Sequence, residues 1–318
     1  MQEIGGYIEL DTFRGEMLHE DGIKLNSGRN ALDYLLKSNS IRVLHYPKFI
    51  CNSNDRILRN NNVEIKAYSI GKDFCPVITN RSDDEWIYLV NYYGQISVEY
   101  ISSFGKNVIV DNAQAYFEKP LDGIAAIYSC RKFFGVADGA ILYLNKGYRK
   151  LSELNHLEQD KSCKRMRHLL GRYENTASEF YQDYSENESS FCGIPLRKMS
   201  RLTENLLRAV DYNHVKERRT YNYIYLHNQF KQLNQLKLSV PQGAFMYPLY
   251  IENGAEIRKE LQKKGIYIPI LWPDVLNKSK KEELEYDMAQ NILPLPVDQR
   301  YGEEEMQMMT DEIKKFLE

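Results

Sequence analysis

The chain has 318 residues, 43% hydrophobic and 27% charged, with a net charge of −2 and a pI near 6.4. A near-neutral balance argues against a nucleic-acid binder, whose affinity rests on neutralising phosphates, and leaves an ordinary globular composition. No apolar run is long enough to span a membrane, and five scattered cysteines form neither a disulfide framework nor a zinc spacing, so no metal site is expected.

The length exceeds what one small core needs. Two subdomains are expected: a large one over residues 1–205, with residues 1–20 packing on its neighbour, and a small one over residues 206–318. The opening MQEIGGYIELD lacks a basic-then-apolar leader pattern, and the cysteine usage is that of a reducing compartment, so a cytoplasmic protein is expected.

Gly5-Gly6 and Asp21-Gly22 read as turns. Residues 25–37, LNSGRNALDYLLK, put Ala31, Leu32, Leu35 and Leu36 on one helical face, with Ser27 before them as an N-cap. Such a start presents free N–H groups and the positive end of the helix dipole, which suits a phosphate. A capped helix with no ligand has the same pattern. Residues 41–45, 63–68 and 85–90 read as strands, the last ending at NYYG, where Tyr92 and Tyr93 are predicted packing residues. Residues 96–104 read as a helix. Residues 108–110 are a short β-branched run, hence a buried strand, and end in Asp111. Residues 124–128 form another, ending in Ser129 and followed by Arg131 and Lys132. A loop with two glycines and Asp138 leads to a further strand at 140–144. The alternation predicts an α/β fold: a mostly parallel central sheet with helices on both faces, plus a smaller C-terminal α/β domain.

Residues 146–190 are polar and Tyr-rich and read as helices with solvated faces, with SENESS at 185–190 as a loop. Lys164, Arg165, Arg167 and His168 either grip a substrate phosphate or form a solvated face. Residues 202–228 keep helical spacing and read as one long helix with Arg218 and Arg219 on its wet side. The last third reads as strand 245–251, helix 255–264 stopped by Gly265, strand 266–272, and a final helix 303–317 with acids first and lysines last.

The chemistry centres on Asp111 and Lys132. Each alone is an ordinary turn or loop residue. Together, an acid closing one buried strand and a lysine just past the next stand where open α/β sheets bind ligands. From these residues the chain reads as an α/β enzyme with an amine nucleophile. Pyridoxal phosphate suits the pair: it needs a lysine amine for its aldehyde and a carboxylate facing its ring nitrogen.

The same stretch resembles a known family. DNAQAYF, 111–117, is similar to the (E)DxAQxxG segment of the DegT/StrS-type, fold-type-I sugar aminotransferases. SCRKFFGVADGAILYLN, 129–145, resembles their SFxxxK…GxGG segment, and SGRNAL, 27–32, their SGTxAL turn. The resemblance implies pyridoxal phosphate as cofactor, Lys132 as the lysine that carries it, Asp111 as the partner of the ring nitrogen and Gln114 as a further neighbour. It implies Gly28 in the turn that cups the phosphate, Arg29 where the family has Thr or Ser, and Ser129 with Arg131 for the remaining phosphate contact. The activity implied is transfer of an amino group from an amino acid, glutamate, to a nucleotide-linked keto sugar, in a homodimer whose sites lie between subunits.

The chain departs from the family at several points. Ser129 and Lys132 are three positions apart, closer than the family's pair, and Ala140 replaces its second glycine. Asn91 replaces its histidine. Cys51 stands where an aromatic stacks on the cofactor ring, with Phe49 as the candidate substitute. FCGIPLRKMS, 191–200, resembles the stretch that reaches the partner's cofactor, with Arg197 or Ser200 as candidates. The departures support a second reading: a member that keeps the fold and has lost the reaction, serving as a binding or regulatory protein.

Overall fold

The computed structural model describes residues 4–144, 147–152 and 156–317. Strands β1 (Ile23–Leu25), β2 (Val43–Pro47), β3 (Glu64–Ile70), β4 (Pro76–Val77), β5 (Trp86–Val90), β6 (Val108–Asp111), β7 (Ala125–Ser129) and β8 (Ala140–Tyr143) form one sheet. Its order is β1-β8-β7-β6-β5-β2-β3-β4. The run β3-β2-β5-β6-β7 is parallel, while β4, β8 and β1 pair antiparallel. Every residue of β5 and β7 is buried, which is why both read as unbroken apolar runs: a parallel strand is covered on both faces.

Alternation along β7 assigns the two faces. Ala125 and Ile127 pack with Ala31, Leu32 and Leu35 of helix α1 (Gly28–Asn39). Ala126 and Tyr128 point the other way, to Met17, Leu207 and Val215. Helices α2 (Asp55–Asn60) and α3 (Val98–Ser103) lie in the connections that make β2, β3, β5 and β6 parallel. After β8 come α4 (Arg167–Glu174), α5 (Tyr181–Ser190), α6 (Arg201–Leu207) and α7 (Tyr212–Phe230). A second, two-stranded antiparallel sheet joins β9 (Met246–Tyr250) to β10 (Ile292–Pro296). It packs against α7, α8 (Gly254–Lys263) and, beyond α9 (Pro273–Lys278) and α10 (Leu284–Asn291), the final helix α11 (Glu303–Lys314) through Leu226, Ile257, Leu293, Met309 and Ile313. Val275 of α9 and Met288 of α10 pack back on the core of the large sheet. No described helix is long and apolar enough to cross a membrane.

Four sequence expectations need correction. The expected long helix is two, α6 and α7: Ser200 caps the first by accepting from the Thr203 N–H, and Asp211 caps the second through His214. Arg219 is not on a wet face but 2% exposed. SENESS is helical, the C-terminal part of α5, anchored where Asn187 donates its side-chain N–H to the Ala137 carbonyl at 3.0 Å. Residues 266–272 form no strand: Ile268 and Trp272 are buried, but Ile270, which a strand would turn to the same face, is exposed, and β10 holds the place beside β9. Residues 145–146 and 153–155, inside the expected strand-to-helix region, lie outside the described residues. Residues 11–15 lie along α6 and its end, where Asn205 bonds the Phe13 N–H and the Asp11 carbonyl and Arg208 bonds the Gly15 carbonyl.

One polar cluster joins β2 and β3 to the start of β5. Glu85, just before β5, accepts from His45 at 2.7 Å and pairs with Lys66. The His45 bond first, then Lys66, holds its carboxyl down at about 2. A carboxyl depressed in the folded state stabilises the fold above its unfolded value, about 4.3, and that contribution is lost as pH falls towards 2. The urea midpoint is therefore expected to drop through this window, and Glu85→Gln to drop less. Equal acid sensitivity in parent and variant would refute the assignment.

Candidate active site

Because β5, β6 and β7 are parallel, their C-terminal ends share one edge of the sheet. Asp111 is the last residue of β6, in register with Val90 on one side and Ile127 on the other. Its Oδ2 accepts from the Tyr88 hydroxyl and its Oδ1 from the Ala113 N–H, both at 2.8 Å. The carboxylate is half-buried, and these bonds fix its orientation. Burial first, and the Asp111 charge second, push the Tyr88 phenol well up, so it remains a donor.

Lys132 ends a 3-10 turn, Cys130–Lys132, that directly follows β7. Two features lock this turn. The Cys130 N–H bonds the Gly139 carbonyl at 3.1 Å. Gly139 sits at φ +117 with Cys130 and Thr203 so close that a Cβ would meet them at 3.2 and 3.0 Å. Asp138, fully buried, accepts from the Ser200 N–H and hydroxyl at 2.7 Å and from the Thr203 hydroxyl, tying the loop to the start of α6. The Lys132 side chain is exposed, and among the described residues its amine has no hydrogen bond or ion pair; Nζ lies 5.5 Å from the centre of the Phe245 ring.

Helix α1 starts at the same edge. Ser27 Oγ accepts from the Asn30 N–H, as expected, and the Asn26 carbonyl accepts from the Gly139 N–H at 2.7 Å. Gly28 is the first helical residue, and a Cβ there would meet only Ile127 at 3.7 Å, an ordinary contact. Neither packing nor backbone requires a glycine at this position.

No family model matches the chain, and no curated protein matches it. Among solved structures it is similar to a DegT DnrJ EryC1 StrS aminotransferase from Brucella abortus, at 15% identity and TM-score 0.62 over 92% of this chain and 85% of that one. It is similar to the sugar aminotransferase CalS13 from Micromonospora echinospora, at 14% identity and TM-score 0.60 over 92% and 86%. The chain has the fold of these sugar aminotransferases. NtdA from Bacillus subtilis, solved with bound cofactor PMP, is similar at 15% identity and TM-score 0.60 over 92% and 72%. The α/β architecture expected from the sequence is thus the one observed, at a level of identity where only the fold is shared.

Within this sugar-aminotransferase fold, Asp111, Ser129, Lys132 and Gly28 come to one edge of the sheet. The remaining candidates are engaged by other groups of the protein. Gln114 is buried, and its Oε1 accepts from the Tyr93 N–H at 2.8 Å, holding a turn in which Tyr93 adopts φ +54. Arg131 pairs with Glu188 near the end of α5 and stacks on Phe191 at 4.4 Å. Arg29 donates to the Glu188 carbonyl at 3.4 Å, so both arginines converge on residue 188. Phe49 does not take the stacking position: it is 0% exposed, packed against Trp272 at 4.3 Å and Tyr92 at 5.5 Å. Cys51 lies against Ser53. Asn91 is buried and bonds Asn112 and the Ile96 N–H, and Tyr92 and Tyr93 are core residues as expected. The basic group at 164–168 is dispersed: Arg165 pairs with Asp160, Arg167 with Asp183, and His168 is buried. Ser200 is a buried cap, and Arg197 pairs with Glu158 and Asp160. Sequence reasoning missed Tyr88; its only signal was its place in β5, one strand away from Asp111.

Proposed function

We propose that the protein is a pyridoxal-phosphate-dependent aminotransferase that moves an amino group from glutamate to a nucleotide-linked keto sugar, working as a cytoplasmic homodimer. One observation carries the reading: an oriented carboxylate and a lysine amine with no hydrogen bond or ion pair among the described residues stand at the ends of neighbouring parallel strands, in the fold of sugar aminotransferases. A similar fold holds PMP, the aminated form of this cofactor.

The residues present fit the cofactor. Gly28 is the test: a glycine that packing does not demand, at the start of a twelve-residue helix, leaves room for a phosphate to approach the free N–H groups. When bound, pyridoxal phosphate supplies an aldehyde for the donor's amine and a ring that spreads the charge left on the donor's α-carbon. The chain supplies the rest. Asp111 keeps a proton on the ring nitrogen. Lys132 Nζ would take the proton from the donor's α-carbon and pass it to the cofactor's C4′ carbon. The Phe245 ring shields one side of that amine from water.

Titrating the protein with pyridoxal phosphate tests the reading. A near-ultraviolet or visible band that changes on adding glutamate is expected; a protein that develops no band contradicts it. The second reading, a fold kept without the reaction, draws on Cys51, which stands where the resemblance puts the stacking aromatic, and on the burial of Phe49, its candidate substitute. A band that glutamate leaves unchanged would favour it.

Gly28→Ala separates the ligand role from packing. The substitution is expected to raise stability by up to about 1 kcal/mol through helix propensity. Affinity for pyridoxal phosphate is expected to fall roughly tenfold, because a methyl group enters the phosphate's approach. Unchanged affinity in a fluorescence titration would remove Gly28 from the cup.

A further inference from the structure

One buried cation stands outside this chemistry. Arg219, on α7, is 2% exposed, and among the described residues no carboxylate forms an ion pair with it. All its hydrogen-bond partners are neutral; the Asp298 carboxylate acts on it only through space, and Arg300 opposes that effect. Nε donates to Gln299 Oε1 at 2.8 Å, one terminal nitrogen to the carbonyls of Ala244 and Phe245 at 3.0 and 3.3 Å, and the other to the Phe133 carbonyl at 3.2 Å. Gln299 returns to the same Phe133 carbonyl through its side-chain N–H at 2.9 Å. The guanidinium also lies over the Phe133 ring at 4.6 Å.

A buried charge held only by neutral acceptors is costly. Burial pushes the guanidinium down to about 10, so it stays charged at neutral pH. Its contacts show where that cost is applied. Phe133 is the residue directly after Lys132. Phe245 carries the ring beneath the Lys132 amine. One guanidinium therefore grips the backbone on one side of the lysine and the surface under its amine on the other. Gln299, from the loop after β10, closes the same carbonyl from the second subdomain.

We propose that Arg219 and Gln299 form a clamp that positions Lys132, setting the direction of its amine through the Phe133 carbonyl and the Phe245 ring. The inference rests on the role given to Lys132 above. The clamp acts through the lysine and touches no reacting atom itself.

The full-length protein is incubated with pyridoxal phosphate, reduced with borohydride, and mapped by peptide mass spectrometry. The readout is the rate of labelling at Lys132 relative to that at the other exposed lysines, which a general loosening of the fold would not single out. Gln299→Met keeps the cation and the fold, as checked by its urea midpoint, and is expected to slow labelling roughly tenfold by loosening the amine's placement. Arg219→Met is expected to slow it further. Arg219→Lys keeps the charge but loses the fork, and is expected not to restore the rate. A parent labelled at Lys132, with variants of the same relative rate, overturns the clamp alone. A parent with no label at Lys132 overturns the lysine's role and the clamp with it.

Discussion

Lys132→Ala is expected to abolish amino transfer while leaving the fold unchanged. The side chain is exposed and makes no hydrogen bond or ion pair among the described residues, so its loss is expected to change stability by no more than about 0.5 kcal/mol. The chemical loss has no local substitute. Arg131, its neighbour, is paired with Glu188, and a guanidinium does not give up its proton at working pH. A turnover assay following 2-oxoglutarate release from glutamate is expected to show a fall of at least about a thousandfold, the scale of losing an essential nucleophile and base together. Full turnover in the variant would remove Lys132 from its role.

Asp111→Asn is expected to slow the reaction by at least about a hundredfold, the scale of losing an oriented charge partner, with little effect on folding. An asparagine keeps the carbonyl oxygen that accepts from the Ala113 N–H. The Tyr88 hydroxyl, a donor to the aspartate, can rotate and accept from the new amide instead. What disappears is the negative charge that the proposed reading sets against the ring nitrogen. Near-parental urea stability with a collapsed rate is the expected pair of results. A variant that turns over at the parental rate would displace the cofactor from this edge.

Tyr88 extends this prediction to a residue of the neighbouring strand. Tyr88→Phe deletes the hydroxyl that fixes Asp111 Oδ2 and leaves the Ala113 bond in place. A smaller fall in rate than for Asp111→Asn is expected in the same assay. A Tyr88→Phe rate equal to the parent's would make the hydroxyl irrelevant to the site.

The strands at 108–110, 124–128 and 140–144 were legible because each is short, apolar and bounded by polar or turn residues. Burial on both faces erases alternation and leaves that pattern in the residues themselves. The start of α1 was legible because capping acts within three residues: Ser27 reaches Asn30. The break between α6 and α7 carried the same kind of signal at Asp211, but apolar spacing on both sides concealed it. SENESS misled in the opposite direction, since its polar residues suit a loop until Asn187 finds the Ala137 carbonyl 50 residues earlier in the chain.

From its residues alone, this chain determined its alternating α/β order and the acid and lysine at the ends of adjacent strands, because periodicity, β-branching and capping act over a few neighbouring positions. Folding in three dimensions chose which groups those two residues meet. Arg219 looked solvated because its partners at Phe133 and Gln299 lie 86 and 80 residues away along the chain. Phe49 looked available because nothing near it in the chain announces Trp272. Burial of a single side chain is set by segments that only long-range packing brings together, and no local pattern encodes their arrival.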